Sequence, residues 1–253
     1  MAPQSLITWL REVCGRYALE PLAVFRRSRG HSWPLTASNE EELEEKLRSG
    51  GHFLPLPKEP AALANVLEVS LVNFILEELR RVPDAAGVRG GERGYPDIEI
   101  SGPTFGGGHH AVDVKVARRR NKRMTQSRIT LFTGNSYFKY PELKWPGTFR
   151  PFKEYQSHLD AVALYTLDTE TDARIRDLEL IVQESWRIGS RQRSSTTREY
   201  IGAVMQIDQL RGGTGEFGSQ AEFHEYWRKF PFKIGRAVDQ QLKKLLSKPA
   251  SKG

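Results

Sequence analysis

Cysteine is almost missing from this chain: Cys14 is the only one among 253 residues. An intrachain disulfide is therefore excluded, and no Cys/His pairing has the spacing of a structural zinc site. Long apolar runs are missing as well. No stretch approaches the roughly 18 residues that a membrane-spanning helix needs, and the opening MAPQSLITWLREVCGRY lacks the basic-then-apolar layout of a secretion signal. A soluble, intracellular protein with no membrane association is expected. No internal repeat and no linker-like composition break divides the chain, so one domain is the economical reading. The segment Arg211-Gly-Gly-Thr-Gly-Glu-Phe-Gly lacks the Gly-Lys-Ser/Thr ending of a phosphate loop, which removes the case for a nucleotide cofactor and leaves a mobile turn as the expectation. With 38% hydrophobic residues, the core must be held by apolar packing alone. What is in surplus is positive charge. Lys and Arg number 38 against 31 Asp and Glu, and such an excess points toward a polyanionic partner.

Apolar periodicity places the elements. Leu6, Trp9, Leu10, Val13 and Tyr17 have helical spacing, and Asn39 has the side chain to cap a second short helix that ends at Gly50-Gly51. Both read as solvent-facing or dimer-facing. From Pro60 to Val82 runs the strongest helix, with Pro83 just beyond it. Glu68 shares a face there with Ala64, Leu71, Val72 and Ile75, where an isolated carboxylate is costly. After the glycine-rich loop AGVRGGERG come β-prone runs at 96–101, 109–117, 127–133, 160–168 and 178–188, which read as one mixed sheet. Residues 222–230 and 234–246 read as late helices.

The informative segment is Tyr95-Pro96-Asp97-Ile-Glu-Ile, a glycine-rich turn, then Ala-Val-Asp113-Val-Lys115. Two strands flanking such a turn make a β-hairpin. If the turn centres on Phe105, Asp97 and Asp113 face each other across the ladder, where like charges destabilise the pair unless a cation is shared. Side chains alternate along a strand, so Lys115 joins Asp113 on one face while Val112, Val114 and Val116 turn to the other. Hard carboxylate oxygens beside a lysine suit phosphodiester hydrolysis with Mg²⁺, and Glu68 could complete the set.

From Tyr95 to Lys115, and back through the Glu68 helix, the sequence resembles the PD-(D/E)xK nucleases, and among them the EcoRV-type type II restriction endonucleases. Later segments echo the family in the same order: SRITLFTGNSYF, RPFKEYQSHLDAVALYT, IVQESWRIGSRQRSSTTREYIGAV and EFHEYWRKF. The resemblance covers roughly residues 54–230 and leaves 18–53 unplaced. It implies an α/β (α+β) restriction-endonuclease-like fold, a central mixed β-sheet flanked by helices. It also implies that Asp97, Asp113 and Glu68 hold metal, that Lys115 is the catalytic lysine, and that Mg²⁺ is the cofactor. The implied activity is cleavage of both strands of a short palindromic site to 5′-phosphate ends, blunt by family habit. A palindrome is read most simply by a homodimer. A cytoplasmic, prokaryotic enzyme of this kind needs a cognate DNA methyltransferase to protect the host genome. On this reading residues 1–53 are a helical or dimerisation region, 54–135 the catalytic core, 136–230 the DNA-recognition region and 231–253 a C-terminal helix and tail.

Two segments are candidates for meeting double-stranded DNA. Arg118, Arg119, Arg120, Lys122 and Arg123 continue the catalytic strand, and are expected beside the scissile phosphate, fixing register on the backbone. The polar run Arg191, Gln192, Arg193, Ser194, Ser195, Thr196, Thr197 and Arg198 occupies the place of the family's major-groove loop, and its side chains suit base readout. Arg89 and Arg93 are the expected minor-groove or backbone contacts from the loop before Tyr95. Adjacent His109 and His110 point to opposite faces of a strand and cannot share an ion; His158 is expected to be a buried, hydrogen-bonded side chain. Two other readings stay open: a DNA-repair or junction-specific nuclease with the same catalytic face, and a DNA-binding module whose carboxylates are structural.

Overall fold

A computed structural model describes residues 5–19, 38–42, 60–91, 94–170 and 174–247. Its centre is a five-stranded mixed sheet in the order β1-β2-β3-β5-β6, from β1 (Ala86–Arg89), β2 (Ile98–Ser101), β3 (His109–Arg118), β5 (Ser157–Leu167) and β6 (Ile175–Glu184). Only β3 and β5 are parallel. Parallel neighbours need a long crossover, and the one here, residues 119–156, carries β4 (Thr130–Thr133) out of the sheet. There β4 joins β7 (Gly189–Arg193) and β8 (Tyr200–Ala203) in a separate three-stranded sheet of order β4-β8-β7. The 127–133 run is therefore a strand as expected, but of a second sheet. Nor is all of AGVRGGERG a loop: residues 86–89 form the exposed edge strand β1.

One face of the main sheet is covered by α1 (Leu6–Gly15) and α2 (Pro60–Leu79). Helix α1 buries Leu6, Trp9, Leu10, Val13 and Cys14, while α2 buries Leu63, Leu67 and Leu71 at four-residue intervals before Val72, Ile75 and Leu79. The stripe of α1 is thus consumed within the chain rather than presented to solvent or a second subunit: Trp9 lies 5.4 Å from Phe105 in the hairpin turn. Arg11 fastens the helix to β6 by donating to the Val182 carbonyl and Gln183 at 3.1 and 3.0 Å. The capped start at Asn39 is present, with the Glu42 amide donating to Asn39 Oδ1 at 2.8 Å; the rest of that expected helix lies outside the described residues.

The opposite face packs on an aromatic core shared with the second sheet and with α3 (Ile207–Gly212), α4 (Gln220–Lys229) and α5 (Arg236–Leu246). Fully buried Trp227 donates its indole N–H to the Ser190 carbonyl at 3.1 Å, tying α4 to β7. The glycine-rich 211–218 segment is not loose. Gly215 and Glu216 amides donate to the Arg187 and Gly189 carbonyls at 2.7 and 2.9 Å, and Phe217 is buried.

Candidate active site

The hairpin β2–β3 has the register that a turn at Phe105 requires: Ile98 pairs with Val112 and Ser101 with His109. A short 3-10 segment at Pro103–Phe105 leads into Gly106, Gly107 and Gly108, all at positive φ (87°, 75° and 69°), where side-chain-bearing residues are strained. One step beyond the last pair, Asp97 and Asp113 stand opposite each other. Asp97 Oδ2 accepts the Val114 amide at 2.6 Å, which turns its carboxylate across β3. Lys115 Nζ is ion-paired with Asp113 Oδ2. Val112 and Val114 enter the core against α1 and α2, as alternation demands.

Burial and the charge of Asp113 push the Asp97 carboxyl up to about 8, with Lys115 pulling the other way. A bound cation would relieve the same repulsion that raises Asp97. Lys115 behaves oppositely. Burial alone would lower its affinity for a proton, but Asp113, Asp97 and Asp160 outweigh burial and hold it above the ordinary lysine range. It is a fixed ammonium and no proton acceptor. Among the described residues no three His, Cys, Asp or Glu are grouped tightly enough to cage an ion unaided. Mg²⁺ does not ask for a cage, because one or two carboxylates with waters and a substrate phosphate satisfy it. The Asp97/Asp113 pair fits that demand.

Asp97, Asp113 and Lys115 line a cavity of about 330 Å³, whose far wall is β4 with Gln241 of α5. Asp97 also lines a neighbouring cavity of about 630 Å³ together with Glu68 and Arg89. Glu68 is thereby brought to the site from α2. Burial raises its carboxyl above the usual range, Lys115 and Arg89 easing and Asp113 adding to that rise. Arg89 Nη1 donates to Asn73 Oδ1 at 2.8 Å, and Arg93 lies outside the described residues.

One acid at this face was missed. Asp160 of β5 is the register partner of Asp113. It is 1% exposed, and apart from the neighbouring Ser185 hydroxyl, which lowers its proton affinity, neither of its oxygens has a hydrogen-bond partner. Burial pushes it up to about 7, with Lys115 pulling down and Asp113 adding to the rise. The signal in the sequence is the one that marks Glu68: a lone acid heading an otherwise apolar run, DAVALYTL.

The basic run lies at and beyond the far end of β3. At about 3.3 Å per residue, Arg118 is roughly 16 Å along β3 from Asp113, and residues 120–123 are farther still. The run therefore leads away from the carboxylates along β3. Arg119 is bound internally, to Glu179 and to the Leu164 and Asp177 carbonyls. Arg120, Lys122 and Arg123 are exposed, at a bend where Asn121 Oδ1 accepts two backbone amides.

Within 191–198 the side chains divide. Arg191 is held by Glu222 at 2.5 Å, with its guanidinium carbon 4.7 and 5.0 Å from the ring centres of Phe217 and Tyr226. Gln192 accepts from Arg128 at 2.6 Å, Arg193 pairs with Glu199 at 2.8 Å, and Ser194 shares a hydrogen bond with Thr130 at 2.7 Å. Ser195 Oγ accepts the amides of Thr197 and Arg198 at 3.3 and 3.2 Å, shaping the β7–β8 turn. Thr196, Thr197 and Arg198 are left exposed at its tip. His158 is buried as expected, its Nδ1 2.7 Å from the Tyr95 hydroxyl and its ring stacked 3.8 Å from Phe152. His109 lies 3.2 Å from Glu99 while His110 bonds Ser157 at 2.8 Å, on the other face of β3.

Among the described residues no helix is long and apolar enough to cross a membrane. The family model described as Restriction endonuclease EcoRV matches residues 29–248. That span extends past both ends of the motif-bearing region 54–230. No curated protein matches the chain.

Proposed function

This chain belongs to the EcoRV restriction endonuclease family, and is thus a DNA-directed nuclease of a generally divalent-metal-dependent kind; from that premise we propose a type II enzyme that uses Mg²⁺ to cut both strands of a short palindromic site. The observation that carries the reading is the convergence of Asp97, Asp113 and Lys115 on one cavity wall, with Glu68 entering beside Asp97. Asp97 and Asp113 would hold the cation. When bound, it polarises the scissile phosphate and acidifies an attacking water. Lys115, fixed as an ammonium, stabilises the charge that accumulates on the pentavalent phosphorus oxygens. Glu68, with its raised proton affinity, faces the neighbouring cavity that Asp97 also lines, and is suited to take up the proton released by water. In-line attack then leaves a 5′-phosphate and a 3′-hydroxyl, with blunt ends if the cuts lie opposite each other. The β7–β8 turn reads bases through Thr196, Thr197 and Arg198, while Arg120, Lys122 and Arg123 grip the backbone. Two subunits read the two half-sites, and a methyltransferase protects the same sequence in a prokaryotic cytoplasm.

The test is digestion of a plasmid of known sequence with purified protein and Mg²⁺, followed by sequencing of the ends. Discrete fragments with one common sequence at every end are expected. Cleavage only at junctions, or random nicking, would move the protein to another branch of the same chemistry, and binding without any cleavage would make the acids structural.

A further inference from the structure

We propose that Asp160 is a positioning residue for Lys115, taking over as the counter-ion of its ammonium when a divalent cation engages Asp113. The inference rests on the reading of Asp97, Asp113 and Lys115 as the active site. Lys115 Nζ is paired with Asp113 Oδ2, the same carboxylate that a cation would claim. An ammonium drawn off that oxygen needs another anion, because its side chain is only 22% exposed and an unpaired buried charge is expensive.

Asp160 meets the requirement in three respects. It faces the right way: β3 and β5 are parallel with Asp113 opposite Asp160, and register partners in a parallel ladder project to the same side. It has capacity in hand: apart from the Ser185 hydroxyl beside it, which lowers its proton affinity and also donates to the His158 carbonyl at 3.3 Å, neither oxygen has a hydrogen-bond partner. It is also out of reach of the substrate. The residue is 1% exposed and is not among those lining either cavity, so neither a phosphate nor a cavity-bound cation competes for it. Of the other anions near Lys115, Asp97 is on the cavity wall and would be taken up by the metal, and Glu68 of α2 lines the neighbouring cavity, where it is open to competing ligands. A buried carboxylate so sparsely hydrogen-bonded is a standing cost to the fold, and a second resting place for Lys115 explains why one sits here. The ammonium then stays on the catalytic face while Asp113 changes partners.

The test compares wild type, Asp160→Asn and Lys115→Met in single-turnover cleavage with Mg²⁺. Wild-type cleavage that is lost in Lys115→Met establishes the active site on its own, whatever Asp160 does. Asp160→Asn is then expected to lower the cleavage rate constant ~10- to 100-fold, the usual loss for a residue that orients an active-site group, with DNA affinity in EDTA unchanged. Its melting temperature should hold or rise, because a buried charge has been removed. In the Lys115→Met background the same substitution should change nothing further. A rate equal to wild type, or a loss of rate matched by a lower melting temperature, would overturn the proposal. Should the variant fail to fold, the intact protein decides: the Lys115 ¹⁵Nζ resonance, assigned by its absence from Lys115→Met, should keep exchange-protected protons when Mg²⁺ is added without DNA. Exchange at the solvent rate on adding Mg²⁺ would refute the handover.

Discussion

Binding of Mg²⁺ at Asp97 and Asp113 should displace a proton, and so should tighten steeply with pH. Asp97 is raised from 3.8 to about 8, by burial first and by the charge of Asp113 second. A group of that kind is about 1% ionised at pH 6, about a tenth at pH 7 and half at pH 8, so Mg²⁺ affinity should rise roughly 50-fold between pH 6 and pH 8. Close to one proton should leave per ion bound at pH 7. Isothermal titration with Mg²⁺ and no DNA, run in two buffers of different ionisation enthalpy, counts that proton directly. Stability provides the cross-check. The native Asp97 holds a proton that the unfolded chain has lost between about pH 4 and pH 8, so metal-free protein should lose stability as pH climbs through that window. Saturating Mg²⁺ should reverse the trend. Asp97→Asn should flatten both curves. An affinity that changes less than about threefold between pH 6 and pH 8, with no buffer-dependent heat, would refute the shared-proton reasoning.

Four further outcomes follow from the geometry. Lys115→Met should slow cleavage by ~100-fold or more while leaving DNA binding in EDTA intact, because its ammonium acts on transition-state charge; a rate within tenfold of wild type would exclude that role. Arg198→Ala should relax discrimination at one base pair by about 1–3 kcal/mol in a cleavage-site selection, whereas Arg191→Ala should mainly lower the melting temperature by stripping the cation from Phe217 and Tyr226. Equal specificity in the Arg198 variant would remove it from the reading surface. Lys122→Ala and Arg123→Ala should each reduce the slope of log affinity against log salt by ~0.9 without altering sequence preference. Glu99→Ala strands Arg150, bonded to it at 2.7 and 2.8 Å, and also the Tyr155 hydroxyl at 3.0 Å; a loss of about 2–3 kcal/mol is expected, roughly 5–10 °C by calorimetry.

What could be read from the sequence tracks how local the governing contacts are. Asp97 and Asp113 are joined by a tight turn, so period-two alternation and the turn centre suffice to place them opposite each other, and the structure has that register. Glu68 is far away in sequence, but a carboxylate within an apolar helix stripe announces itself. Asp160 carries the same mark and was passed over, because nothing local says that β5 lies parallel to β3. That pairing depends on a crossover of 38 residues (119–156), whose course is a tertiary matter. Edge strand β1 was hidden for a related reason. Its residues Ala-Gly-Val-Arg are all exposed and have no apolar face to betray a strand; they extend only because β2 offers a ladder.

Charge is the least local property of all, and there composition misleads most. Arginines 119, 191 and 193 look identical in sequence to 120 and 198, yet the first three are pinned by Glu179, Glu222 and Glu199. Their bonds build the surface that the exposed ones ride on. The Arg193–Glu199 pair closes the base of the β7–β8 turn, and Ser194 in that turn hydrogen-bonds Thr130 at 2.7 Å. Thr130 is itself a lining residue of the cavity that holds Asp97, Asp113 and Lys115. Strand β4 therefore belongs to both the turn that would meet base edges and the wall facing the carboxylates. One hydrogen bond thus joins the proposed reading turn to the wall of the candidate active site, because the crossover carries β4 into the second sheet.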